Sequence, residues 1–226
     1  MRKFLNKIIS YIYPNRCISC GKLFDKVDFC DACRKSCRPL DTARCAGCNQ
    51  YIYNCNCASK NGYKGLVSAY LYADTTRAAI LKFKFRARPE IAEPFGKTMA
   101  ELIHLRYPNV DFDGIVFVPM TRKGLHKRGY NQAELLANII SRELMVPVFS
   151  SGLAKTRESE KQHTLSAAAR RRNVKGLYIS FDDLKGKTLL LVDDIRTTGE
   201  TLRACTKALK KAGAKEIYCA AIASAL

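Results

Sequence analysis

Leu189-Leu190-Leu191-Val192-Asp193-Asp194-Ile195-Arg196-Thr197-Thr198-Gly199-Glu200-Thr201 is the stretch from which the rest of the chain is read. Apolar residues lead into two adjacent acids, then a loop of small residues, then a helix-like segment. A strand buried on both faces of a parallel sheet has such an apolar run. The loop after it would lie at the sheet's C-terminal edge, where open α/β folds bind ligands. Thr197, Thr198, Gly199 and Thr201 offer hydroxyls and backbone amides at a helix start, and free amides with the helix dipole favour a phosphate. Asp193 and Asp194 can accept hydrogen bonds from a sugar diol, or hold Mg²⁺ directly or through water. The plainer alternative is a buried strand, an acidic turn and an ordinary capped helix.

Outward from this stretch, 226 residues at 47% hydrophobic content suffice for one sizeable core and a small accessory module. The formal charge of +19 suits polyanions, either nucleic acid or phosphorylated small molecules, and a merely solvated basic surface is an equal alternative to a nucleic-acid footprint. No run is long enough for a transmembrane helix. The start, Met1 to Ile12, is basic and apolar but lacks a signal peptide's long apolar region and cleavage site. Phe4, Leu5, Ile8, Ile9 and Ile12 recur at helical spacing, which predicts a short amphipathic helix packed on the body, or else touching a membrane surface. The expected compartment is the cytoplasm.

Of eleven cysteines, nine lie between Cys17 and Cys57. Cys17/Cys20, Cys30/Cys33 and Cys45/Cys48 have C-x₂-C spacing, and Cys55/Cys57 is one residue shorter. Paired thiolates on tight turns suit tetrahedral zinc, and without an export signal a disulfide scaffold is disfavoured. One or two structural Zn²⁺ sites are expected. The sequential arrangement groups Cys17, Cys20, Cys30 and Cys33, then Cys45, Cys48, Cys55 and Cys57. A cross-braced pairing fits the spacings equally, and Cys37 is a substitute ligand. About forty residues build little core, so metal would supply much of the module's folding energy. Cys205 and Cys219 lie far away and read as buried apolar residues.

From Gly65 the pattern changes. Strands are expected at Leu66–Tyr72, Gly114–Val118, Val146–Phe149, Lys187–Val192 and Ile217–Ala223. Helices are expected at Thr75–Phe83, Ile91–Tyr107, Asn131–Leu144 and Glu200–Ala212, with Gly213 as a C-terminal cap. Lys82 to Arg88 reads as a basic turn. This alternation argues for a largely parallel sheet covered by helices. The expected division is an N-terminal helix and cysteine module over 1–62, then an α/β domain over 63–226. Lys155 to Arg172 is polar and poor in core residues, which suits a binding loop or an exposed connector. His104, His126 and His163 show no metal-ligand spacing.

A second basic stretch, Pro119-Met120-Thr121-Arg122-Lys123-Gly124-Leu125-His126-Lys127-Arg128-Gly129-Tyr130-Asn131-Gln132, follows a strand and reads as a loop opening a helix. Arg forks and Lys point charges suit a pyrophosphate. The Leu189–Thr201 string resembles the phosphoribosyl pyrophosphate (PRPP) motif of type I phosphoribosyltransferases. The Pro119–Gln132 segment, continued by Ala133-Glu134-Leu135-Leu136-Ala137, is similar to the signature of the ComF family, the competence protein F phosphoribosyltransferase homologues. The Tyr13-Pro14-Asn15-Arg16-Cys17 entry to a cysteine module and the Lys155–Val174 segment fit the same family.

The resemblance implies a type I phosphoribosyltransferase-like α/β fold preceded by a small zinc-ribbon-like module. It implies that Asp193 and Asp194 are the catalytic pair. Arg196, Thr197, Thr198, Gly199, Glu200 and Thr201 would complete the ribose-5-phosphate site with those two acids. Met120, Thr121, Arg122, Lys123 and Arg128 would bind pyrophosphate, with Mg²⁺ entering with PRPP. As an enzyme, the chain would transfer a phosphoribosyl group with inversion at the anomeric carbon. Some purine enzymes carry an acid where Thr197 stands, and Thr197 cannot act as that base. Three roles follow. One is a PRPP-binding protein of natural transformation that handles incoming single-stranded DNA beside an uptake helicase or channel. The others are a metabolic phosphoribosyltransferase of nucleotide salvage and a PRPP-sensing adaptor. Tyr51, Tyr53 and Tyr63 are candidate base-stacking residues, with a packing role as the equal alternative.

Overall fold

The computed structural model describes residues 14–41, 43–45, 50–156, 177–180 and 182–225. The expected N-terminal helix, Cys48, His163 and all of the basic segment after Thr156 lie outside the described residues.

Two short helices, α1 (Asp31–Ser36) and α2 (Cys57–Asn61), punctuate the cysteine-rich stretch. The chain then alternates as expected through β1 (Gly65–Leu71), α3 (Asp74–Phe85), α4 (Ala92–Arg106) and β2 (Gly114–Phe117). It continues through α5 (Arg122–Arg128), α6 (Gln132–Leu144), the small pair β3 (Ala154–Lys155) and β4 (Tyr178–Ile179), β5 (Thr188–Arg196), α7 (Glu200–Lys211) and β6 (Glu216–Ser224). The main sheet has the order β1-β6-β5-β2 with every pair parallel, while β3 and β4 are antiparallel.

The central strands explain their own composition. Leu189 to Val192 and Ile217 with Cys219 to Ala223 are fully buried. A strand covered on both faces has no place for alternation. Helices α4 and α6 pack together across the sheet, and their contact closes at Gly96, where an added Cβ would stand 2.6 Å from Ile139 Cγ2. Cys205 and Cys219 are buried as expected.

Four elements differ from the sequence pattern. Strand β5 does not stop at Val192. Asp193, Ile195 and Arg196 stay paired with Ala221, Ala223 and Ser224 because β6 runs on beside them. The acids therefore stand on a strand end held by a ladder, not in a turn. Helix α3 continues to Phe85, since Phe83 is buried in the core, so the expected basic turn starts as helix. The expected basic loop after Pro119 folds as α5: Thr121 caps it by accepting from Gly124 N at 3.1 Å, and Gly129 closes it at φ +81°. The expected strand Val146–Phe149 is reduced to one parallel bridge between Val148 and Ile115, because the chain turns at once through Gly152 N to Phe149 O at 3.0 Å.

The cysteine-rich stretch packs on the α/β body. Ile18 and Phe29 belong to the same core cluster as the sheet, and the Phe29 ring meets Tyr70 at 6.0 Å and Phe95 at 5.8 Å, both edge-on. Leu40 N bonds to Ala69 O at 3.0 Å and Leu71 N to Arg38 O at 2.8 Å, so the linking segment covers the free edge of β1.

Candidate functional site

At the C-terminal edge of the sheet, residues following β2 and at the end of β5 line an open cleft of about 580 Å³. Asp193, Asp194, Ile195, Thr197 and Thr201 line one side. Val118, Pro119, Met120, Thr121 and Gly124 line a second side, continued by Arg128, Asn131 and Gln132. Lys84, Tyr72, Lys155 and Tyr178 complete it.

Each wall has a local cause. Asn131 caps α6 by accepting from Ala133 N at 3.1 Å and donates through Nδ2 to Val118 O at 3.1 Å, fixing the end of β2 against the start of α6. Gln132 Nε2 donates to Phe83 O at 3.3 Å, and the Tyr130 hydroxyl donates to the same carbonyl. The last turn of α3 is thereby tied to α6, which brings Lys84 to the acids. Lys84 Nζ lies 2.9 Å from Asp194 Oδ1, with the two side chains only 18% and 13% exposed. Asp194 N donates to Asp193 Oδ1 at 2.8 Å. Burial, together with the neighbouring Asp194 carboxylate, pushes the Asp193 carboxyl up to about 7.

Of the residues expected in the site, Asp193, Asp194, Thr197, Thr201, Met120, Thr121 and Arg128 come together on this cleft. The others stand around it without lining it. Arg122 and Lys123 are exposed on α5, and Thr198 is exposed on the loop. Gly199 takes φ +78° as the N-cap of α7, a conformation that favours glycine. Glu200 pairs with Arg203 at 2.9 Å, and Arg196 Nη1 donates to Ala225 O at 3.2 Å. Sequence reasoning missed Lys84, Tyr72 and Tyr178, and reached Lys155 only as the start of a binding loop. Lys84 left a signal in the Lys82-Phe83-Lys84-Phe85 alternation. Tyr178 left none, because the β3–β4 pairing joins distant parts of the chain.

A second candidate centre lies in the cysteine-rich stretch. The sulfurs of Cys17, Cys20, Cys30 and Cys33 all lie within 4.8 Å of one another, an arrangement that could hold a metal ion. Cys45, Cys55 and Cys57 form a second such group, and Cys48, the fourth ligand expected there, lies outside the described residues. The pairing is sequential rather than cross-braced, and Cys37 joins neither group among the described residues. Gly21 at φ +81° turns the first knuckle, and Cys30 N donates to Cys17 Sγ at 3.3 Å. Burial opposes a charged Cys17, but backbone N–H groups of Cys30, Cys20 and Ser19 outweigh it and bring the thiol down to about 6. Burial and the neighbouring thiols push Cys33 up to about 12. Next to the second group, Tyr51 and Tyr53 are 40% and 79% exposed. Among the described residues, no helix is long and apolar enough to cross a membrane.

Residues 130–226 match the family model of the phosphoribosyl transferase domain. The chain is 30% identical over 205 residues to the DNA utilization protein YhgH of Escherichia coli O157:H7, covering 84% of this chain and 88% of that one. It is 30% identical over 220 residues to competence protein F of Haemophilus influenzae, covering 89% and 93%. Among solved structures it is similar to the glutamine phosphoribosylpyrophosphate amidotransferase from B. subtilis, at 21% identity and a TM-score of 0.43. That match covers 62% of this chain and 30% of the amidotransferase.

Proposed function

The chain belongs to the competence protein F family of phosphoribosyltransferase-like proteins, and on that premise we propose that its cleft binds PRPP with Mg²⁺ in support of natural transformation. The observation that carries this reading is the meeting of Asp193 and Asp194 with Thr197, Thr201, Met120, Thr121 and Arg128 on one cleft at the sheet's C-terminal edge. The 5′-phosphate would sit at the start of α7, on the hydroxyls of Thr197, Thr198 and Thr201 and the backbone at Gly199. Asp193 and Asp194 would hold the ribose hydroxyls and the metal, directly or through its waters. Arg128 would meet the pyrophosphate inside the cleft, with Arg122 and Lys123 drawing it in from the exposed face of α5. The fit of Mg²⁺ rests on the donor set, two adjacent carboxylates beside a phosphate site. When bound, Mg²⁺ neutralises charge on the pyrophosphate.

In the cysteine-rich stretch four converging thiols suit a closed, structural zinc site, and the three described thiols with Cys48 suit a second. We read 1–62 as the zinc module and 63–226 as the phosphoribosyltransferase-like domain. The net charge of +19 and the exposed Tyr51 and Tyr53 support single-stranded DNA as the macromolecular ligand, handled in the cytoplasm beside the uptake helicase or channel.

Isothermal titration of the zinc-loaded chain with PRPP and Mg²⁺, with and without a single-stranded oligonucleotide, tests the reading. Saturable PRPP binding that shifts on adding DNA supports it. An oligonucleotide that binds while PRPP does not would remove PRPP from the function.

A further inference from the structure

Lys84 belongs to neither phosphate motif, yet it makes an ion pair with Asp194 inside the cleft at 2.9 Å. We infer that Lys84 is the internal counter-ion of Asp194, competes with a divalent cation for that carboxylate, and becomes a diphosphate ligand when the cation takes its place. The inference rests on the reading of the cleft as a PRPP site.

The argument starts from solvation. An ammonium is a compact, strongly hydrated charge, and one that is only 18% exposed needs a partner. Asp194 supplies it. A divalent cation and an ammonium cannot share one carboxylate oxygen without strong like-charge repulsion, so metal arriving at Asp194 displaces Lys84. The displaced charge has little freedom to leave. The Phe83 carbonyl beside it is held by Gln132 and Tyr130, so the backbone of the last turn of α3 is pinned to α6. Only the four-carbon side chain of Lys84 can swing, and it swings within a cleft it already lines together with Thr121 and Arg128. The anion there in the proposed complex is the diphosphate. A point charge with three rotatable donors can make that exchange, because an ammonium meets a phosphate oxygen as readily as a carboxylate.

The exchange predicts opposite effects on two ligands. Full-length wild type, Lys84→Gln and Lys84→Arg are titrated with Mn²⁺ alone and with PRPP plus Mg²⁺, their cysteine clusters zinc-saturated. All titrations are run at one pH and one ionic strength. Lys84→Gln is expected to bind Mn²⁺ about 10-fold more tightly and PRPP about 10- to 100-fold more weakly. Lys84→Arg is expected to restore PRPP affinity. If Lys84→Gln weakens both ligands, Lys84 is only a support of the site and the exchange is wrong. Unchanged PRPP affinity in Lys84→Gln overturns the diphosphate role while leaving the cleft reading intact. Failure of wild type to bind PRPP overturns the cleft reading, and the diphosphate role with it.

Discussion

The rings of Tyr51 and Tyr53 stack with centroids 5.4 Å apart and planes 12° from parallel, on a surface that leaves Tyr53 79% exposed. The Arg44 guanidinium lies over the Tyr51 ring at 4.2 Å, a cation–π contact within the same patch. An exposed aromatic face at the end of such a stack accepts any base, at about 1–3 kcal/mol per base. Tyr53→Ala is expected to weaken single-stranded DNA binding about 10-fold in fluorescence anisotropy, and Tyr53→Phe to preserve it. The slope of affinity against salt should not change, since no phosphate contact is lost. Equal affinity in Tyr53→Ala would take this surface out of DNA binding.

Replacing both acids, Asp193→Asn with Asp194→Asn, should abolish PRPP binding in calorimetry while zinc content and the far-ultraviolet spectrum stay as in wild type. Both side chains face the cleft and neither supports the cysteine-rich stretch. Retained PRPP affinity would place the ribose elsewhere.

The Asp193 carboxyl titrates at about 7 in the folded chain, against 3.8 for an unperturbed group. The folded state therefore holds this proton more firmly than the unfolded state does. Its contribution to stability is fully present below pH 3.8, declines as pH rises, and is lost above about 7. In Mg²⁺-free urea melts, wild type should lose stability relative to Asp193→Asn across this window. Parallel stability curves for the two proteins would show that burial does not raise this group.

Cys17 is fully buried and its sulfur belongs to the four-thiol group. Cys17→Ser should release one zinc per chain and lower the melting temperature, leaving the Cys45, Cys55 and Cys57 group loaded. Loss of both metals together would indicate that the groups fold as one unit, and full zinc retention would remove Cys17 from the ligands.

Gly96 has no room for a side chain, because a Cβ would stand 2.6 Å from Ile139 Cγ2 and 2.7 Å from its Cβ. Gly96→Ala should push α4 off α6 and destabilise the fold by about 1–3 kcal/mol. Chemical denaturation measures this directly, and an unchanged midpoint would mean the two helices slide apart freely.

Patterns carried by neighbouring residues were legible from the chain alone. The run Leu189–Val192 announces a doubly covered strand, Asn131 announces the start of α6, and the C-x₂-C pairs announce thiol knuckles. The order of strand, acids, threonines and helix was enough to locate one face of the cleft. These features depend on hydrophobic period, capping and ligand spacing, which act over a few residues.

Pairings across the chain were decided only by the tertiary structure. The spacings allowed a cross-braced cysteine arrangement, and the fold instead brings Cys17 and Cys20 to Cys30 and Cys33. The length of β5 depends on β6 lying beside it, so the acids' place on a strand end could not be read from their own neighbours. Tyr178 reaches the cleft through an antiparallel pairing with Lys155. Lys84 meets Asp194 because Phe83, Tyr130 and Gln132 lock α3 to α6. The physical reason is common to all four: sequence period sets which face of an element is buried, while sheet register and helix packing set which distant residue that element meets.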